Sequence, residues 1–188
     1  RVPLIVRWPG RVPAGRVIDA PVNNIDWIPT LRELAGTDLP SGLDGISIAD
    51  GLTGGSFPER RIFWHFPHYT NQGGRPSGAM RDGDWLLVEM YDVEKAELYD
   101  LSSDIGEARD IAESHPERVA AMRAELEAWR TEIGAQRNTP NPNCDEAKFR
   151  ALYVDTDPSR FDPPTADEAE WARMKEWRKG MNEAARKK

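Results

Sequence analysis

The chain carries one cysteine, Cys144, and three histidines in 188 residues. A lone thiol closes no internal disulfide and builds no thiolate metal cluster, so cysteine usage leaves the redox compartment open. No apolar run approaches the roughly 20 residues that span a bilayer, and no signal peptide opens the sequence. Acidic residues outnumber basic ones 32 to 25, giving a formal charge of -7. That balance opposes general attraction to nucleic-acid phosphates or anionic lipid, so no nucleic-acid partner is expected. There is no G-x-S-x-G, no H-E-x-x-H, no Gly-rich phosphate loop before a helix and no Cys cluster. A self-contained catalytic engine is therefore not legible.

Aromatic residues are plentiful, with seven Trp, four Tyr and five Phe, which fits a globular chain with a real core. Leu4 to Trp8 reads as a short strand buried on both faces and closed by Pro9-Gly10. Arg1 enters that run without cap, turn or polar arm, so the natural start is expected upstream. Asp26 is placed to cap a helix over 26–35, with Pro29 in its first turn and Leu31 and Leu34 on one face. Residues 37–59, rich in Gly, read as a long surface connection.

Beyond residue 60 the pattern turns to strands. Arg61 to Phe66, Ser77 to Arg81, Trp85 to Tyr91 and Ala96 to Leu101 predict a small antiparallel sheet, with a tight turn at Asp82-Gly83. Val119, Met122, Leu126, Trp129 and Ile133 recur in steps of three and four, which predicts a covering helix, with Ser114 and Glu117 at capping-box spacing. Residues 134–164 read as an arm with one helical turn at Asp145 to Leu152. A last helix is expected from Thr165, capped with Glu168, with Trp171, Met174, Trp177 and Met181 on its apolar face. The expected division is 1–59, 60–134 and 135–188, and the fold class is α+β.

The best candidate site is Trp64-His65-Phe66-Pro67-His68-Tyr69, followed by Asn71-Gln72-Gly73-Gly74-Arg75-Pro76. Two imidazoles at a strand end, beside a loop with amide, phenol and guanidinium donors, suit a polar or anionic ligand. His65, His68 and Arg75 are the substrate-binding candidates. The competing reading has His65 packed on the sheet, His68 capping the turn and Arg75 in solvent. The two histidines lack neighbouring ligands for a metal site. Trp129, Trp171 and Trp177 fit core periodicity better than stacking platforms for carbohydrate.

Several stretches, in order, resemble the sulfatases of the alkaline-phosphatase superfamily. Arg1 to Gly10 is similar to the strand after their Gly-Gly-x segment, Asp26 to Gly36 to D-x-x-P-T-L-x-x-L-A-G, and Leu43-Asp44-Gly45-Ile46-Ser47 to L-D-G-x-S. Ser77 to Trp85 and Glu97-Leu98-Tyr99-Asp100-Leu101 resemble the family's R-x-G-x-W hairpin and E-L-Y-D-L strand, and Asp104 to Ala112 its D-x-x-E-x-x-D-L segment. The likeness spans roughly residues 1–135. It implies the end of an α/β sulfatase domain followed by a small antiparallel sheet with a packed C-terminal helix.

For the complete enzyme the resemblance implies sulfate-ester hydrolysis, a formylglycine nucleophile and Ca2+. It also implies a sulfated small molecule or glycan as substrate and a periplasmic or extracellular setting. None of the family's nucleophile or metal positions matches a residue here. Cys144-Asp145-Glu146-Ala147-Lys148 is not C/S-x-P-S/A-R, and Leu86 stands where many members have Lys. The catalytic region is expected upstream, and the chain is expected to be inactive alone, with no bound cofactor. Two rivals remain: an aromatic-rich binding module, and part of a related phosphodiesterase or phosphonate hydrolase.

Overall fold

The computed structural model describes residues 2–93 and 95–186. The chain divides into two compact units, residues 1–60 and 61–188.

In the first unit the expected strand is absent. Residues 2–8 are irregular, with Val2 and Ile5 both 89% exposed. A doubly buried strand needs a ladder on each side, and no described residue of this unit supplies a strand to pair with it. Helix α1 spans Trp27–Leu34, one residue inside the expected range, and it buries Pro29 and Thr30 rather than Leu31, which is 58% exposed. Asp26 does not cap it: its side chain makes no bond to the helix amides. The expected connection over 37–59 contains a second short helix, α2, Ala49–Thr53, and the neighbouring Ile48, Ala49 and Leu52 are buried. Ile48-Ala49-x-x-Leu52 is one helical stripe too short to stand out from its glycines.

Asp26 is instead the hub of this unit. Its carboxylate is fully buried and accepts from the backbone amides of Asn23 (2.7 Å) and Ile46 (3.1 Å). It also takes both prongs of the Arg60 guanidinium at 2.6 Å each. One turn on, Thr30 Oγ1 donates to the Asp26 carbonyl and accepts from the Ile48 amide. Gly45 makes the arrangement possible, because a Cβ there would overlap the Ile25 carbonyl. The D-x-x-P-T and L-D-G-x-S motifs are thus two halves of one hydrogen-bonded lock, with every oxygen of Asp26 in use.

The second unit opens with a four-stranded antiparallel meander, β1 (Arg61–Phe66), β2 (Ser77–Asp82), β3 (Trp85–Met90) and β4 (Lys95–Asp100), in that spatial order. The α+β class and all four expected strands are as read, within a residue at their ends. Asp82 pairs with Trp85, so Gly83 and Asp84 make the turn, and only Gly83 takes a positive φ, 58°. Glycine first is the type II′ arrangement, shifting the expected turn by one residue.

Helix α3, Pro116–Glu132, lies over one face of the sheet. Met122 and Leu126 close a core with Met80, Leu87 and Leu98, and Trp129 stacks on Phe63 at 5.1 Å. Pro116 starts the helix, where a missing N–H costs nothing. The expected Ser114/Glu117 box does not form, because Ser114 Oγ donates backwards to the Ile111 carbonyl. Ile133 falls just past the helix and is half exposed, and the stripe continues instead through Arg130. On the sheet's other face Leu86, Tyr99 and Leu101 form a second cluster. Leu86 therefore serves packing at the position where the family often has Lys.

Residues 135–186 continue this unit. Asp145 caps α4, Glu146–Phe149, by accepting from the Lys148 amide, and a wider π-type turn over Arg150–Val154 follows. Helix α5 spans Glu168–Arg186, beginning three residues later than expected. Its capping box is Asp167 with Glu170, each side chain bonding the other's backbone amide, while Thr165 bonds Asp162. Trp177 and Met181 are buried with Leu152, and the Trp177 indole donates to the Leu152 carbonyl at 2.9 Å. Trp171 is 41% exposed, edge-on to Phe161, so it is not core.

Candidate functional site

The period of two along β1 puts Phe63 and His65 on the helix-covered face of the sheet. His65 is half-buried there, its Nδ1 3.0 Å from the Tyr91 hydroxyl and its Nε2 2.9 Å from the Gln136 carbonyl. Burial, with the cationic Arg130 and Arg137 nearby, holds its pKa below the ordinary value despite the opposing bond to Gln136. Opposite His65 stands Gly78, where a Cβ would collide with the Tyr91 hydroxyl. The missing side chain opens the slot that Tyr91 occupies.

His68 lies beyond Pro67, exposed, its ring edge-on to Phe66 at 5.5 Å. Arg75 is not in solvent: it forks onto Asp92 at 2.8 and 3.0 Å, and the Tyr69 hydroxyl donates to the same carboxylate. Burial and this bond to Asp92 both push the Tyr69 phenol well above its usual range. The intervening loop is tightened by Thr70, whose hydroxyl accepts from the Gly74 amide and whose own amide donates to the Gly74 carbonyl. Among the described residues no hydrogen bond or ion pair joins any two of His65, His68 and Arg75. Sequence proximity places them on one strand end and loop, while their partners differ.

The C-terminal arm reaches the same loop. Tyr69 packs edge-on to Tyr153 at 4.9 Å, the Arg178 guanidinium donates to the Asn71 carbonyl at 2.9 Å, and Gln136 holds His65. Phe149 and Tyr153, read from sequence only as part of an arm, thus support the candidate loop. No local motif announces such long-range support.

Beside His65 an open groove of about 370 Å³ runs between the end of β3 and the end of α3, lined by Glu89, Tyr91, Arg123, Arg130, Arg137 and Asn138. Sequence reasoning missed these residues. One signal was present: Arg130 stands four residues after Leu126 and eight after Met122, an arginine on the core stripe.

The antiparallel four-stranded meander covered by one amphipathic helix in the second unit, and the motif-built lock around Asp26 in the first, are each what the C-terminal part of the sulfatase family would show. The chain matches the family "N-sulphoglucosamine sulphohydrolase, C-terminal" over residues 1–132, and it belongs to that family. A sulfatase from Formosa agariphila is 33% identical over 167 residues, covering 79% of this chain and 30% of the relative. The chain thus spans about 30% of that relative's length. A solved 2-O GAG sulfatase superposes with a TM-score of 0.50 at 26% identity, over 63% of this chain and 27% of its own. The phosphonate monoester hydrolase from Silicibacter pomeroyi does so with a TM-score of 0.51 at 26% identity, over 67% and 28%.

Formylglycine and calcium do not fit the residues described. Cys144, the lone thiol, is exposed and outside any nucleophile motif, and no group of three or more His, Cys, Asp or Glu side chains among the described residues is arranged to hold a metal ion. Nor is any described helix long and apolar enough to cross a membrane.

Proposed function

We propose that this chain is the C-terminal part of a sulfuric-ester hydrolase acting on sulfated carbohydrate or aryl sulfate, and that alone it is inactive. The family match over residues 1–132 carries the reading, together with relatives named as sulfatases. The formylglycine nucleophile and the Ca2+ site belong, on this reading, to the remainder of the enzyme. The exposed Leu4 and Ile5 support it, since this apolar run suits a strand that pairs outside the chain.

Within that enzyme His65, His68 and Arg75 form the substrate side of this subdomain. His68, exposed at the loop, makes the contact, while His65 and Arg75 hold the two ends of the loop through Tyr91, Gln136 and Asp92. Assay of the complete gene product on an aryl sulfate, a sulfated N-acetylglucosamine and a phosphonate monoester tests the reading. Sulfate-ester turnover is expected from it and none from the 188-residue chain. Turnover of the phosphonate alone favours the second reading, a phosphonate hydrolase, which the Silicibacter pomeroyi neighbour supports. His68→Ala should lower kcat/KM about tenfold with an unchanged Tm, the scale of one lost polar contact. Wild-type kcat/KM in that variant removes His68 from the substrate side.

A further inference from the structure

We infer that the groove between β3 and α3 is a binding site for a single oxyanion, a sulfate or carboxylate group, centred on Arg130. The side chain of Arg130 is only 9% exposed. It lies 4.1 Å over the Tyr91 ring, and its buried Nε has no hydrogen-bond partner. Its one carboxylate contact is a single 3.3 Å approach to Glu127. That carboxylate is committed elsewhere: both its oxygens accept from Arg137, at 2.6 and 2.7 Å. Arg137 holds the Glu127 carboxyl below its ordinary pKa, so Glu127 is ionised and already neutralised.

Three guanidiniums, Arg123, Arg130 and Arg137, and one carboxylate, Glu89, line the groove, and Glu127 bonds to two of the three arginines without lining it. Arg123 satisfies Glu89 and Arg137 takes both oxygens of Glu127, which leaves the almost fully desolvated Arg130 with one long bond to a shared carboxylate. A buried charge with so weak a share of a partner is costly, and an arriving oxyanion relieves it. The ligand class follows from the donors. Guanidinium forks match the planar or tetrahedral oxygens of carboxylate and sulfate, and the amide of Asn138, which also lines the groove, suits the hydroxyls of a sugar that carries them.

This inference concerns binding by the chain itself and stands apart from the hydrolytic reading. The test is titration of the 188-residue chain and of the complete gene product with inorganic sulfate, N-acetylglucosamine 6-sulfate, glucuronate and unmodified N-acetylglucosamine. It is followed at the Arg130 Nε–H and Tyr91 ring resonances. Saturable shifts with the charged probes and none with N-acetylglucosamine are expected, and sugar acids binding more tightly than inorganic sulfate identify a glycan group rather than a free ion. Arg130→Gln should weaken binding about ten- to a hundredfold, the scale of a lost charge-assisted bond. Arg137→Gln, exposed and safe for the fold, should weaken it too, because Glu127 then turns to Arg130. Glu127→Gln should tighten it. Absence of shifts at Arg130 and Tyr91, or a Glu127→Gln variant that binds no tighter than wild type, overturns the proposal.

Discussion

Each unit holds a largely buried guanidinium, Arg60 in the first and Arg130 in the second, and the two are satisfied very differently. Arg60 forks onto Asp26 with both bonds at 2.6 Å, and Asp26 accepts two backbone amides as well. Arg130 has one 3.3 Å contact to a carboxylate already claimed by Arg137, and a buried Nε with no partner. A closed pair in a low dielectric holds a fold together, whereas an open one is a charge held ready for something else. The same residue type at similar depth therefore separates a structural lock from a recognition feature.

The largest expected effect lies in the closed pair. Asp26→Ala strands the buried Arg60 guanidinium and releases two amides, and should cost about 3–5 kcal/mol in chemical denaturation. A loss under about 1 kcal/mol would mean that solvent reaches Arg60 and that the lock is not closed. Leu126, fully buried between α3 and the sheet, comes next: Leu126→Ala should cost about 2–5 kcal/mol. Because Leu126 precedes Arg130 by one turn, near-zero cost there would also undo the placement of the groove.

The smallest effect is the titration of His65. Burial and its cationic neighbours depress its folded pKa below the ordinary 6.5, so the native state favours the neutral ring. Between the folded value and 6.5 the unfolded chain binds more protons, so stability rises with pH across that window. The contribution is complete above 6.5 and is lost as pH falls through the folded value. Stability curves from pH 5 to pH 8 should show this slope in the wild type and a flatter one in His65→Gln. An unchanged slope places the titrating group elsewhere.

What the sequence disclosed was mostly local. The four strands, the α3 stripe and the helical turn after Asp145 follow from periodicities and caps spanning a few residues. Local chemistry also misled. Asp26 before Trp27 looks like a helix cap, yet its partner Arg60 is 34 residues away and the bidentate pair outcompetes the cap. Thr165 looks like the start of α5, yet Asp167 and Glu170 make the better box. Leu4 to Trp8 has the composition of a strand, and composition cannot supply the strand beside it. His65 and Arg75 were legible as polar groups near a loop. Tyr91, Asp92 and Gln136, which hold them, come from elements that only the fold brings together.

The comparison is tested most directly by melting Arg60→Met and Arg130→Met with and without sulfate. The account predicts that Arg60→Met lowers Tm strongly and keeps whatever stabilisation sulfate gives the wild type. Arg130→Met should melt within a few degrees of the wild type and lose that stabilisation, since a ligand stabilises only the state that binds it. Equal destabilisation of the two variants, with sulfate still raising the Tm of Arg130→Met as it does the wild type, would contradict it.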